Sequence, residues 1–98
     1  MNISTKLEGG KLLISLDGRL DTTSAPQLEG VLRETLRGVT ALEMDFEKLA
    51  YISSAGLRVL LSAMKLMKKQ GTMVVRNVNE TVMEVFEITG FADMLTIE

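Results

Sequence analysis

Strand-like and helix-like hydrophobic patterns alternate along the whole of this 98-residue chain, and this alternation is its strongest structural constraint. Short apolar or alternating runs are typical of strands, whereas apolar residues spaced three and four apart are typical of amphipathic helices. The segments follow the order β-β-α-β-α-β-α-β. Because a helix between two strands normally makes a right-handed crossover between parallel neighbours, this order predicts a single mixed sheet of about five strands with interleaved helices. Without repeats or linkers, residues 1–98 are expected to form one α/β domain.

Turn and capping residues set the bounds of these predicted elements. Gly9 and Gly10 predict a tight turn that joins the first two strands as an antiparallel hairpin. Ser24 is the predicted N-cap of the first helix, and Gln27 completes a capping box. The third helix is expected to begin after Asn79. The predicted strands are Ile3–Glu8, Lys11–Leu16, Ala41–Asp45, Thr72–Val75 and Leu95–Ile97, and the predicted helices run from Ser24 to about Arg37, from Ser54 to Gln70 and from Glu80 to about Thr89.

The second predicted helix carries apolar side chains on two sides. One side, predicted to meet the sheet, consists of Leu57, Leu60, Leu61, Met64 and the stem of Lys68. The other side consists of Ala55, Val59, Ala63 and Leu66. An apolar outer face needs a cover, which is either another helix of this domain or a separate protein.

The composition excludes most catalytic chemistry. With no histidine and no cysteine, the chain lacks the usual base of a serine triad and the ordinary ligands of zinc. Its glycines match neither the dinucleotide nor the P-loop pattern, and a net charge of -2 disfavours nucleic acid as a partner. We therefore expect a non-enzyme without cofactor or metal site. The apolar runs are short and the N-terminal segment lacks a signal-peptide core, so we expect no membrane insertion and a cytoplasmic location.

The loops that enter the helices are expected to meet at one edge of the sheet. Residues 18–23, 46–53 and 76–79 each leave the carboxyl end of a predicted strand, where open α/β sheets commonly bind ligands. The candidate residues for a single surface are Asp21, Ser53, Ser54, Arg76 and Asn77.

The segment from Ile52 to Arg58 stands out within this edge because it places two serines at a helix start. The first N–H groups of a helix lack partners and the helix dipole adds partial positive charge, so such a serine is well placed to carry a phosphate. The ordinary interpretation is a capping serine. Both roles are compatible if Ser53 caps the helix and Ser54 points to solvent. The small residues Ala55 and Gly56 then suggest close approach by a partner or by another helix.

The motifs together resemble the STAS domain, in particular the small bacterial anti-sigma factor antagonists. The resemblance covers nearly the whole chain and is carried by residues 18–21, 42–49 and 52–57, with Gly71 and residues 90–91 further on. It implies that Ser54 is the phosphorylated serine and that Asp21 belongs to the partner contact. Ser53 stands where the family pattern usually has an acidic residue, which makes Ser53 itself the alternative acceptor. Arg58, one turn beyond Ser54, is placed to meet the phosphate or the partner.

The resemblance also implies a function by partner switching. The unmodified chain would bind an anti-sigma factor that is also a serine kinase and so release the sigma factor. Phosphorylation would reverse binding, and a serine phosphatase would reset the switch. The alternative is a constitutive interaction subunit of a lipid-transport ATPase or a signalling assembly, with Ser54 only a cap. A nucleotide-binding or weakly hydrolytic enzyme is a third possibility, supported by Asp21 and the serines alone.

Overall fold

The computed structural model describes all 98 residues and confirms a single mixed sheet of five strands. The sheet order is the chain order, with the first two strands antiparallel and every later pair parallel. Three crossovers therefore step in the same direction across the sheet, and their common right-handedness puts all the helices on one face. In chain order the elements are β1 (Asn2–Glu8), β2 (Lys11–Leu20), α1 (Ala25–Thr35), β3 (Ala41–Ile52), α2 (Ser54–Gln70), β4 (Thr72–Arg76), α3 (Glu80–Thr89), α4 (Phe91–Met94) and β5 (Thr96–Ile97).

The hydrophobic core lies between the helices and one face of this sheet. Successive strand residues point to opposite faces, so Leu12, Ile14 and Leu16 of β2 are buried while Leu13 and Ser15 between them are only half-buried. The core is one continuous cluster of 23 buried hydrophobic residues. The opposite face of the sheet carries no helix and stays open to solvent.

An ion-pair network crosses the open face of the sheet. The Glu43 carboxylate on β3 lies 3.0 Å from the Lys11 ammonium on β2 and also pairs with the Arg76 guanidinium on β4. The Arg76 guanidinium also lies 3.0 Å from the Glu98 carboxylate. The hydrogen bond from Lys11 and the positive charge of Arg76 together hold the pKa of Glu43 below its usual range. The network thus ties three neighbouring strands together.

The prediction of a loop from Phe46 to Ile52 is wrong, because this segment continues β3. Its partner, β2, also runs past the predicted end at Leu16 to Leu20, and the two extensions pair side by side. Two bulges, at Ser15/Asp17 and at Gly18/Arg19, shift the register and break the simple period of two. The alternation that would mark this strand in the sequence is therefore obscured.

The starts of the helices follow the predictions in part. Asn79 caps α3 as expected, because its side-chain oxygen accepts a hydrogen bond of 2.8 Å from the Val82 N–H. Ser24 precedes α1 but makes no side-chain cap, and Gln27 donates to the Met1 carbonyl instead of closing a capping box. The short helix α4, absent from the predicted order, follows directly from the left-handed turn at Gly90.

The two apolar sides of α2 are both used within the domain. Val59 and Ala63, predicted to lie on an outer face, are buried beside Leu32 of α1. On the side predicted to meet the sheet, Leu57 and Leu60 are buried, whereas Leu61 and Met64 are only half-buried. The buried face of α2 is therefore shifted toward the second side, which is covered by another helix of this domain, α1, one of the two predicted alternatives.

Candidate functional site

Two of the three predicted loops meet at the carboxyl edge of the sheet. Leu20 and Ile52 are register partners at the ends of β2 and β3, and the Ser53 N–H donates a 2.9 Å hydrogen bond to the Leu20 carbonyl. Asp21 and Ser53 are therefore the first residues beyond two neighbouring strand ends. Ser54 follows at once as the first residue of α2. The sheet register thus brings together residues that are far apart in the sequence.

The third loop does not join this group. Arg76 pairs in register with Asp45, and the Asn77 side chain donates a 3.0 Å hydrogen bond to the Asp45 carboxylate. Strand β3 then continues for seven residues from Asp45 to Ile52, a path of roughly 23 Å at about 3.3 Å per residue. The prediction of one surface that includes Arg76 and Asn77 is therefore wrong, because the strands end at different heights.

The two serines at the start of α2 differ sharply in exposure. Ser53 has the extended backbone of an N-cap residue, and its carbonyl accepts a 3.0 Å hydrogen bond from the Leu57 N–H. Its side chain makes no cap, however, and its Oγ atom is buried without a hydrogen-bond partner. Ser54 is exposed. Of the two serines, Ser54 is therefore the residue exposed to an external reagent.

Gly56 is explained by packing inside the domain. It is buried, and a Cβ atom at this position would lie 2.7 Å from Leu20 Cγ and 2.9 Å from Ile52 Cγ1. The close approach that a glycine here requires is therefore made by two core side chains, which corrects the prediction that Gly56 forms an external contact surface. Ala55 is half-buried against the core, and Arg58 is exposed on the next turn.

Asp21 shapes the loop that leads into α1. Its Oδ1 atom accepts hydrogen bonds from the backbone N–H groups of Thr23 and Ser24, at 3.0 and 3.1 Å, and from the Ser24 hydroxyl. The bond from the Ser24 N–H is the main cause that lowers the pKa of Asp21. The other oxygen, Oδ2, lies 3.9 Å from the Arg19 guanidinium. Asp21 Oδ1 thus stabilises this turn, and Oδ2 stays free of hydrogen bonds within the chain.

Sequence reasoning missed Arg19 and Tyr51 at the same edge. They are register partners, and the Arg19 guanidinium lies 4.5 Å from the centre of the Tyr51 ring. The contact is a cation–π pair. Gly18, which precedes Arg19, was the available signal, because a glycine within a strand marks a bulge or a close approach.

Away from this edge, the surface carries an apolar groove and no cluster of metal-ligating side chains. No group of three or more acidic, histidine or cysteine side chains is arranged to hold a metal ion. A groove of about 820 Å³ lies at the opposite end of α2 and is lined mainly by apolar residues such as Met64, Met73 and Met94. None of the helices combines the length and the hydrophobicity needed to cross a bilayer.

The fold and the site together define a small two-layer α/β domain that presents an exposed serine at the N-terminus of a long helix. This architecture agrees with the family pattern in its sequence. The chain belongs to the STAS domain family, whose model matches residues 2–98.

Relatives in sequence carry one consistent name. The chain is 40% identical over 90 residues to BtrV of Bordetella bronchiseptica, which is named as an anti-sigma factor antagonist; the match covers 90% of this chain and 78% of BtrV. It is 29% identical over 98 residues to the anti-sigma-B factor antagonist of Bacillus subtilis, covering 99% of this chain and 90% of that protein.

Solved structures show the same fold. The unphosphorylated form of the anti-sigma factor antagonist SpoIIAA superposes with a TM-score of 0.77 at 20% identity, covering 99% of this chain and 87% of that one. The phosphorylated form of SpoIIAA from Bacillus gives 0.76 at 21% identity, covering 99% and 91%. A Thermotoga maritima protein gives 0.90 at 16% identity, covering 97% and 84%. At these identities the likeness concerns the fold alone.

Proposed function

We propose that this chain is an anti-sigma factor antagonist that works by partner switching in the cytoplasm. The unmodified chain binds an anti-sigma factor that is also a serine kinase, and the sigma factor is released for transcription. Phosphorylation of Ser54 ends this binding, and a serine phosphatase restores it. The chain is substrate and ligand in this cycle, so ATP and Mg²⁺ belong to the kinase. The names of its sequence relatives support the antagonist role.

The observation that carries the proposal is the exposed hydroxyl of Ser54 at the first position of α2. A phosphate there adds about -1.5 to -2 charges at pH 7. The N-terminus of a 17-residue helix favours that charge by about 0.3–1 kcal/mol. No core side chain has to move to admit the group. The modified chain should therefore keep its fold, and the structure resembles both forms of SpoIIAA equally well.

The same charge acts differently on a bound partner. A partner surface packed over Ser54 and Ala55 would have to desolvate or repel a phosphate. Moving a binding equilibrium from 99:1 to 1:99 takes about 5.5 kcal/mol. A buried, unpaired charge costs at least several kcal/mol. One phosphate at a close contact is thus of the right size to reverse binding without any change of fold.

The burial of Ser53 supports Ser54 as the acceptor. The Ser53 Oγ atom is covered by protein, so its phosphorylation would require the start of α2 to open. The Ser54 hydroxyl needs no such opening. Ser53 is therefore the alternative acceptor only if the helix frays.

The test is a phosphorylation and binding assay with the anti-sigma factor kinase encoded in the same genome. After incubation with ATP, mass spectrometry should place one phosphate on Ser54 and none on Ser53. Ser54→Ala should bind the kinase but resist modification, while Ser54→Asp should bind weakly yet melt close to the wild-type temperature. Ser53→Ala is the matched control and should be phosphorylated normally.

Three outcomes would contradict the proposal. Absence of phosphate from both serines would remove the switch, and a large loss of stability in Ser54→Asp would show that the site is not a free surface. Purification from the native cell provides the third. A co-purifying membrane ATPase, in place of a kinase, would favour the constitutive interaction subunit.

A further inference from the structure

Arg19 and Tyr51 form a preorganised pair near the ends of β2 and β3, in which Arg19 is exposed and Tyr51 is half-buried. The ring of Tyr51 supports the Arg19 guanidinium at 4.5 Å, and Asp21 Oδ2 lies 3.9 Å from its Nε atom. The Arg19 side chain is 62% exposed and donates no hydrogen bond within the chain. Its planar set of N–H donors is therefore held in place and free to bind an external acceptor.

A local irregularity of the sheet creates this pair. Gly18 is the register partner of Leu49, but Arg19 is the partner of Tyr51, so Ala50 is skipped by a bulge. Gly18 has a φ of +121°, a conformation that side-chain-bearing residues rarely adopt. Bulges commonly re-aim a side chain next to a functional site. Without this one, Arg19 would stand opposite an alanine and lose its aromatic support.

The pair lies one residue before the ends of β2 and β3. Leu20 and Ile52, the next residues on each strand, point into the core, so Arg19 and Tyr51 point to the open face of the sheet. Asp21 follows Leu20 at the end of β2, and Ser53 follows Ile52 at the end of β3. The pair therefore lies two residues before Asp21 on one strand and two residues before Ser53 on the other.

We infer that Arg19, held by Tyr51, is a specificity-determining contact for the partner protein and binds a carboxylate of that protein. Arginine matches a carboxylate with two parallel hydrogen bonds, and a stacked guanidinium loses little freedom when it binds. The inference rests on the proposed function and deepens it.

Calorimetric titration of the full chain with the anti-sigma factor kinase tests the inference. Arg19→Ala should weaken binding by about tenfold or more, as expected for an interface hot spot. Arg19→Lys keeps the positive charge but not the planar set of N–H donors, and its affinity should still fall by about fivefold or more. Tyr51→Phe keeps the ring and should stay within about twofold. Arg37→Ala, which removes an exposed arginine away from this edge, is the matched control and should also stay within about twofold.

A spectroscopic measurement separates binding from a merely structural role. In a chain labelled with ¹⁵N, the Nε–H resonance of Arg19 should shift when the unlabelled kinase is added. Melting temperatures measured on each variant show whether the fold is intact. Normal binding by Arg19→Ala, or an unmoved resonance, would overturn the inference. If Arg19→Ala binds normally and Ser54 phosphorylation still abolishes that binding, the inference about Arg19 fails while the proposed function stands. If the wild-type chain does not bind the kinase, the inference and the proposed function both fail.

Discussion

Gly56→Ala tests whether the glycine at the start of α2 is required by the core or by a partner. The added Cβ atom would meet Leu20 Cγ at 2.7 Å and Ile52 Cγ1 at 2.9 Å. Both contacts are to branching or inner carbons of fully buried side chains, so neither can swing aside. Overpacking of this kind costs about 1–3 kcal/mol. Alanine is the better helix former by about 1 kcal/mol, which leaves a net loss of about 0–2 kcal/mol.

Gly30→Ala in α1 is the matched control. Gly30 also lies inside a helix, but a Cβ atom there has no heavy atom within 4 Å. This variant should gain about 0.5–1 kcal/mol from helix propensity alone. The two variants should therefore differ by about 1–3 kcal/mol, which isolates the cost of the clash from the shared helix preference.

Urea unfolding followed by far-ultraviolet circular dichroism measures both changes, since the chain has no tryptophan and only one tyrosine. The slope of the free energy of unfolding against urea concentration should be the same in both variants if each unfolds in a two-state transition. In thermal melts, each kcal/mol of change in the free energy of unfolding should shift the melting temperature by about 4–8 °C for a domain of this size. Equal stabilisation of Gly56→Ala and Gly30→Ala would refute the packing argument and return Gly56 to the partner surface.

Ser53→Ala should leave the free energy of unfolding within about 0.5 kcal/mol of the wild type, because its hydroxyl caps nothing and has no partner. Asn79→Ala should cost about 1–2 kcal/mol in the same urea assay, since it loses the bond from the Val82 N–H and leaves a β3 carbonyl unpaired; no loss would mean that the cap is dispensable. The folded chain lowers the pKa of Asp21 and of Glu43, so both carboxylates contribute stability that is complete above their unfolded pKa of about 4 and is lost as the pH falls through the lower folded values. A double variant with both carboxylates replaced by amides should therefore lose less stability on acidification than the wild type, and parallel pH profiles would contradict this.

Apart from the short helix α4, the element order of this fold follows from local signals. The glycine pair of the first hairpin, the cap at Asn79 and the stop at Gly90 act within a few residues of their own positions. Hydrophobic periodicity then separates strands from helices, and right-handed crossovers put the helices on one face. These features need no knowledge of which distant residues meet, so the sequence predicts them correctly.

The errors occur where distant segments decide the outcome. The extension of β3 to Ile52 depends on pairing with β2, and the bulges that permit this pairing hide the strand period. The orientation of α2 depends on α1 packing beside Val59. In each case the local pattern is compatible with two arrangements, and the neighbouring element selects one.

The candidate site divides in the same way. The sequence alone determines a helix start with two adjacent serines, an acidic residue at the entry to the preceding helix, and the absence of histidine and cysteine. Only the tertiary structure decides that the Ser53 hydroxyl is buried while Ser54 is exposed, and that Arg19 rests on Tyr51. The physical reason is that exposure and stacking depend on the register between strands far apart in the chain, which no single segment encodes.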